Sequence, residues 1–304
     1  MGTAGTTTAP MTTPTATTDM TTASAATVPT TMGIAATAPA MLAAASAATA
    51  AGSMAVPATS TARATPAVIT MTTSDAAREL LLLQICDSVF PIGAYSHSYG
   101  LETYIQLGIV HDEATAARYV EQQIRYPLTY TELLGMRLAY EAAAAGDLAR
   151  VAELEGLMAA AKVPSECREA SRRMAARFCK TAAAFLDGEA ATRFGTYVGG
   201  AAARGSHMVN AAYGVFCALA GIDERELLRR YLYAQVSAMV VNCVKTVPLS
   251  QTAGQEILFA SAPAQAEAVE RALAADESML GLSMPGFDTR AIEHETLYSR
   301  LYMS

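Results

Sequence analysis

The sequence predicts an all-α protein, a single compact domain of about eight to ten helices over residues 75–304, preceded by a disordered extension over residues 1–74. Three observations carry this reading. Apolar residues recur at helical spacing from residue 75 to about residue 275; no alternation of β-branched residues extends over five or more positions; and two long uncharged runs, 208–222 and 231–244, suit buried helices. The first 74 residues differ in kind: Thr, Ala, Pro, Ser and Met dominate, no aromatic or Cys occurs, and only Asp19 and Arg63 carry charge. Such a stretch buries too little apolar surface to offset the entropy of ordering it.

Helix one starts after Ser74 or Asp75, each a good N-cap, and runs to about Val89, where Pro91 and Gly93 end it. The segment from Ser96 to Glu102 then falls in a loop or at the start of the next helix. Asp112 caps a helix through Arg125, Pro127 breaks or kinks it, and Leu128 to Ala145 continues as a second piece ending at Gly146. Asp147 caps another helix, to about Ala161. Pro164 and Ser165 open a longer one to Leu186, on which Met174, Phe178 and Phe185 alternate with Arg172, Arg173, Arg177 and Lys180, so that one face is half core and half basic.

The glycine-rich stretch from Gly199 to His207 follows no strand and lacks the G-x-x-x-x-G-K-[ST] pattern of a phosphate cradle, so it reads as a mobile loop. The uncharged runs after it, of fifteen and fourteen residues, fall short of the roughly 20 apolar residues of a membrane span. Asp223 with Glu226 makes a capping pattern for the second run, and Thr252 with Gln255 makes one for the helix that follows. Regularity breaks between Gly281 and Gly286, leaving a C-terminal tail over about residues 285–304.

All but one of the 21 basic and all but one of the 28 acidic residues follow residue 74, so the net charge of −7 belongs to the domain. An acidic domain without a basic cluster argues against a nucleic-acid partner. The extension lacks both the basic start with apolar core of a secretory signal and the several Arg of a mitochondrial one. Its Ala-rich patch from Met41 to Val56, interrupted by Gly52, is a poor membrane anchor. Five Cys at 86, 167, 179, 217 and 243 form no C-x-x-C pair, which suits a reducing cytoplasm.

The densest chemistry lies in Ser96-His97-Ser98-Tyr99-Gly100-Leu101-Glu102, two hydroxyls, an imidazole and a carboxylate around a glycine. A serine nucleophile needs a base, an orienting acid and an oxyanion hole converging in space, and no G-x-S-x-G elbow is present. A hydrogen-bonding structural role for Ser96 and Ser98 is therefore favoured over catalysis. His97, His111, His207 and His294 are too dispersed for local metal-ligand spacing, and Met239 with Cys243, although soft donors on one helix face, read as core. No directly bound metal or cofactor is expected. The ending His294-Glu295-Thr-Leu297-Tyr298-Ser-Arg300-Leu301-Tyr302 is rich in residue types that anchor interfaces. It either folds back on its own domain or docks to a partner, and docking is favoured.

These residues resemble the urease accessory protein UreF family. Ser96 to Glu102, with Ile105-Gln106 and Gly108-Ile109, is similar to its N-terminal signature. Ala211-Ala212-Tyr213-Gly214-Val215-Phe216, then Gln235-Val236-Ser237, Asn242 to Lys245, Val247-Pro248-Leu249 and Gln251-Thr252, are similar to later blocks, and His294-Glu295 with Leu297 to Leu301 to its ending. The resemblance is collinear over about residues 78–304, and it departs at Gly205-Ser206-His207-Met208, where a proline is usual in the fourth place. It implies an all-helical, non-catalytic, cytoplasmic scaffold that dimerises, binds the UreD/UreH accessory protein and recruits the GTPase UreG, so that nickel, handled by the wider complex, reaches apo-urease. By the same resemblance Ser96, His97, Ser98, Tyr99, Gly100, Glu102, Tyr298, Arg300 and Leu301 are expected at partner-binding surfaces. Two rivals stand beside it: activation of UreG by an arginine such as Arg204, supplied in trans, and a serine hydrolase using Ser96 or Ser98.

Overall fold

Short polar caps set several of the helix starts in this chain. The computed structural model describes residues 1–2, 74–94 and 97–303. Ser74 caps α1 (Asp75–Ile85) by accepting from the Ala77 amide, and a short turn leads to α2 (Leu101–Gln106). Asp112 and Thr115 form a reciprocal capping box on α3 (Glu113–Gln123). Then come α4 (Leu134–Ala144), α5 (Leu148–Ala161) capped by Asp147, and α6 (Ser165–Ala182), extended by a 3-10 turn to Phe185. The second half comprises α7 (Gly188–Arg204), α8 (Val209–Leu219), α9 (Glu224–Thr246) capped by Asp223, α10 (Gln251–Ala260), α11 (Ala262–Ala274) and α12 (Pro285–His294). No strand occurs among the described residues, and the fold is all-α as the periodicity predicts. The expected extension over residues 1–74 lies, except for its ends, outside the described residues.

Four local expectations are corrected. Pro127 does not break the chain, because α3 runs on through a π-helical stretch, Ile124–Leu133, into α4. The wider π ring, with the Leu134 amide bonded to the Thr129 carbonyl, absorbs the proline's missing N–H. Buried Asn210 on α8 donates to the carbonyls of Thr131 and Glu132 in that stretch. The glycine-rich segment is helical to Arg204 and ends at Gly205, whose φ of 62° makes the left-handed C-terminal turn. Burial of Phe194, Tyr197 and Ala201 on the inner face of α7 outweighs the roughly 1 kcal/mol each glycine costs. Ser250, not Thr252, caps α10. The first half of the expected tail is α12, and this helix with the short α2 brings the α-helices among the described residues to twelve.

The core is organised around α8, whose long contact with α4 is the most extensive in the chain. Phe178 of α6 stacks on Tyr213 of α8 with ring centroids 4.0 Å apart and meets Phe216 edge-on at 5.6 Å. Tyr213 donates its hydroxyl to the Ile85 carbonyl at 2.7 Å, tying the end of α1 to the centre. Met239 and Cys243 are buried, as core residues should be. All five cysteines are free thiols, and burial pushes Cys86, Cys167, Cys179 and Cys243 up to about 12. Among the described residues no helix is long and apolar enough to cross a membrane.

One carboxylate makes stability depend on pH. Burial, with Glu141 nearby, raises Glu224 at the start of α9 to about 6, against the opposing charge of Arg137. An acid raised above its ordinary value of 4.5 binds its proton more tightly folded than unfolded, so stability falls as pH climbs from 4.5 through about 6. Glu224→Gln should therefore stabilise the protein at pH 7.5 by up to about 1 kcal/mol, discounted for solvent screening, and change little at pH 4.5. Urea unfolding at the two pH values measures the difference; equal effects at both would refute it.

Candidate partner-docking site

The chain enters α2 through two left-handed residues, Tyr99 (φ 52°) and Gly100 (φ 85°). A Cβ on Gly100 would lie 2.8 Å from the Ala291 nitrogen, so the backbone of α12 rests directly on this glycine. Thr103 fixes the contact by donating its hydroxyl to the Arg290 carbonyl at 2.9 Å. Position and dihedral together leave no room for a side chain at residue 100.

From the first turn of α2 the buried Glu102 carboxylate reaches the end of the chain. Its Oε1 accepts from the Leu301 amide at 2.7 Å, and its Oε2 accepts from the Tyr302 amide at 3.0 Å. Oε2 also lies 3.0 Å from Nε2 of His294, a side chain with no exposed surface. On the other side of that imidazole, Nδ1 is 3.7 Å from Oε2 of Glu166 in α6. Both Glu166 oxygens accept from Arg300 Nη1, at 2.9 and 2.8 Å. Glu295 supplies the cap that Pro164 cannot give α6, accepting from the Glu166 amide at 3.2 Å and from the Ser165 hydroxyl. Gln106 adds a bond to the Ser299 carbonyl at 3.0 Å.

The result is a clamp in which α2, α6 and α12 hold residues 299–302 through alternating acid and base. What it offers outward is apolar: Tyr298 is fully exposed, Leu301 is 78% exposed, and Met303 is half exposed. Leu107 and Ile109, just after α2, are exposed as well.

Of the residues singled out in the sequence, Gly100, Glu102, Arg300 and Leu301 thus meet in one place. Tyr99 sets the turn, and Tyr298 stands clear of the clamp. His97 and Ser98 are buried on the opposite side of the segment, where the His97 carbonyl accepts from Asn242 of α9 at 3.0 Å. Both line a mainly apolar cavity of about 710 Å³ that also touches Met174, Tyr231 and Met239. Burial first, and then Arg173 and Arg177, lower the His97 pKa, opposed by Glu166. Ser98 Oγ makes no hydrogen bond among the described residues, which corrects the hydrogen-bonding role expected of it, and no base is paired with it. Ser96 lies outside the described residues. Sequence reasoning missed Glu166, and it placed His294 and Glu295 in the C-terminal ending without joining them to Glu102 and α6. Among the described residues no three His, Cys, Asp or Glu side chains group as metal ligands.

A second buried carboxylate fixes the loop between α7 and α8. Glu155 of α5, with no exposed surface, accepts from the Tyr197 hydroxyl at 2.8 Å and the Met208 amide at 3.2 Å, with Ser206 and Arg204 each at 3.4 Å. Burial raises its pKa against those bonds and the Arg204 charge. Arg204 is therefore engaged within its own chain.

Comparison with known proteins accords with this architecture. Residues 110–262 match the UreF family model. The chain is 35% identical over 223 residues to the urease accessory protein UreF of Actinobacillus pleuropneumoniae serotype 3 (strain JL03), covering 73% of this chain and 97% of that relative. It is 34% identical, with the same coverage, to the protein of that description from serotype 5b (strain L20). Shared sequence over nearly the whole relative, on the helical domain described above, makes this chain a member of the urease accessory protein UreF family.

Proposed function

We propose that this chain serves urease maturation as a non-catalytic scaffold, which binds UreD/UreH through the α12 and tail face and recruits the GTPase UreG so that nickel reaches apo-urease. In this reading it works in the cytoplasm as a homodimer, holds no cofactor of its own, and leaves nickel to the rest of the complex as cargo. The observation that carries the reading is the tail itself. Its backbone is locked by the buried Glu102, yet it turns Tyr298 and Leu301 to solvent, an arrangement that costs apolar exposure and suits an interface anchor.

Co-purification with UreD/UreH tests it. Arg300→Ala removes the partner of Glu166 and should weaken capture by about 2 kcal/mol, roughly 30-fold. Tyr298→Ala makes a cleaner control, because that side chain is fully exposed and its loss leaves the clamp intact. Undiminished capture by both variants, each still folded, would sink the proposal. Activation of UreG by Arg204 would first require that side chain to leave Glu155; single-turnover GTP hydrolysis by UreG with Arg204→Ala separates recruitment from activation.

A further inference from the structure

Cations are scarce in this acidic chain, and most of those described face a carboxylate, as in the pairs Arg150–Glu277, Arg225–Glu270 and Arg271–Glu267. On the outer face of α6, cations without such a partner cluster. Arg173, Arg177 and Lys180 are exposed at positions i, i+4 and i+7, with only the small side chain of exposed Ala176 between them. Arg172 pairs with Glu169 and Arg168 turns to the carbonyls of Lys162 and Val163, leaving the stripe to the other three. Among the described residues, neither Arg173 nor Lys180 has a carboxylate within ion-pair reach, and Arg177 donates only to the Ile92 carbonyl, at 3.2 Å, which leaves its charge uncompensated. Like charges one turn apart repel within a helix by roughly 0.2–0.5 kcal/mol. The inner face of the same helix is built of Met174, Phe178 and Cys179, so its core packing does not involve Arg173 or Lys180.

Next to the stripe, Phe90 packs on Phe178 and Phe185 at centroid distances of 5.9 and 6.4 Å. That contact places the loop after α1 against α6, and the loop leaves its neighbours Val89, 85% exposed, and Pro91 on the surface. The patch is thus a row of cations about 10 Å long, bordered by Val89 and Pro91, with the exposed Asp87 carboxylate turned back onto the Val89 amide at 2.8 Å.

We propose that the Arg173–Arg177–Lys180 face of α6 docks an acidic segment of a protein partner, two or three carboxylates at helical spacing with an apolar residue against Val89. Complementary charge argues for that occupant, and size argues against the two other polyanions. The stripe is little longer than the screening length of about 8 Å at physiological salt. A nucleic acid or an anionic membrane would extend beyond it onto the surface of a chain whose net charge is −7, and would be repelled there. The site is separate from the tail clamp, which takes its contact from Glu166 two turns earlier on α6.

The test uses the full chain with Arg173→Glu/Lys180→Glu, and the milder Arg173→Gln/Lys180→Gln in case charge reversal impairs folding. A fluorescent oligoglutamate peptide, phosphatidylserine vesicles and a short DNA duplex serve as probes. Oligoglutamate should bind the parent chain at low salt, weaken as salt rises, bind the neutralised variant about tenfold more weakly, and not bind the reversed one. Vesicles and duplex should not bind. Failure of oligoglutamate to bind the parent chain, equal binding by the neutralised variant, or preference for vesicles or duplex overturns the proposal. Tail-dependent capture of UreD/UreH should survive both double variants, which separates this outcome from the test of Arg300.

Discussion

Gly214→Ala is expected to lower the free energy of unfolding by about 2–3 kcal/mol or more. In a helix interior the same change ordinarily stabilises, by roughly 0.5–1 kcal/mol, because alanine surrenders less backbone freedom than glycine. At this position the added methyl would lie 2.5 Å from the Met136 carbonyl oxygen and 3.0 Å from the Tyr140 nitrogen, both backbone atoms of α4. Neither can rotate away, so α4 and α8 would have to separate along their most extensive contact, loosening the aromatic stack of Phe178 and Tyr213 beside it. Gly156 in α5 is the matched control, since a methyl there meets nothing within 4 Å and should raise stability. Opposite signs in urea unfolding of the two variants are the expected result; a neutral Gly214→Ala would mean that the helices do not approach this closely.

What could be read in the sequence was what is decided locally. Ser74, Asp112, Asp147 and Asp223 announce helices because each cap needs only the three residues after it. Thr252 misled by two positions because its T-x-x-Q spacing mimics a cap, while the upstream Ser250 has the extended backbone a cap requires. Pro127 and Gly199-Gly200 misled because intrinsic propensity was taken as the deciding force. Burial of the π-helical stretch, through Leu128, Thr131 and Leu133, and of the inner face of α7 outweighed it. The site was visible only in halves. Gly100 and Glu102 stood out at one end, Arg300 and Leu301 at the other, and the resemblance named both without joining them. Glu102 and Leu301 are 199 residues apart, and no periodicity or motif spacing reports a contact at that range. A buried glutamate in a first helical turn was the available clue, because such a carboxylate must find donors somewhere in the fold.

The second large effect is expected at that glutamate. Glu102→Ala removes the acceptor of the Leu301 and Tyr302 amides and of His294 at once. Stripping one side of a buried charge network costs on the order of 3–5 kcal/mol when the remaining groups stay buried. Here they need not stay. The tail makes few other bonds, Gln106 to Ser299 and Glu166 to Arg300, so release to water caps the penalty at the free energy of local opening. The core should therefore keep most of its stability while the end of the chain comes loose. Hydrogen exchange at Leu301 and Tyr302 should rise by at least about 100-fold, the equivalent of losing roughly 3 kcal/mol of protection. Exchange in α8 should change little. Glu102→Gln should fall between, since it keeps one acceptor oxygen but turns an amide donor toward the other partners. His294 would then face only Glu166, 3.7 Å away, and α12 would remain seated by Thr103 and by the close approach at Gly100. If the tail is the docking surface for UreD/UreH, capture should decline in the same order as protection, parent above Gln above Ala. A chain whose Leu301 and Tyr302 amides stay protected without Glu102 would show that something other than this carboxylate holds the tail.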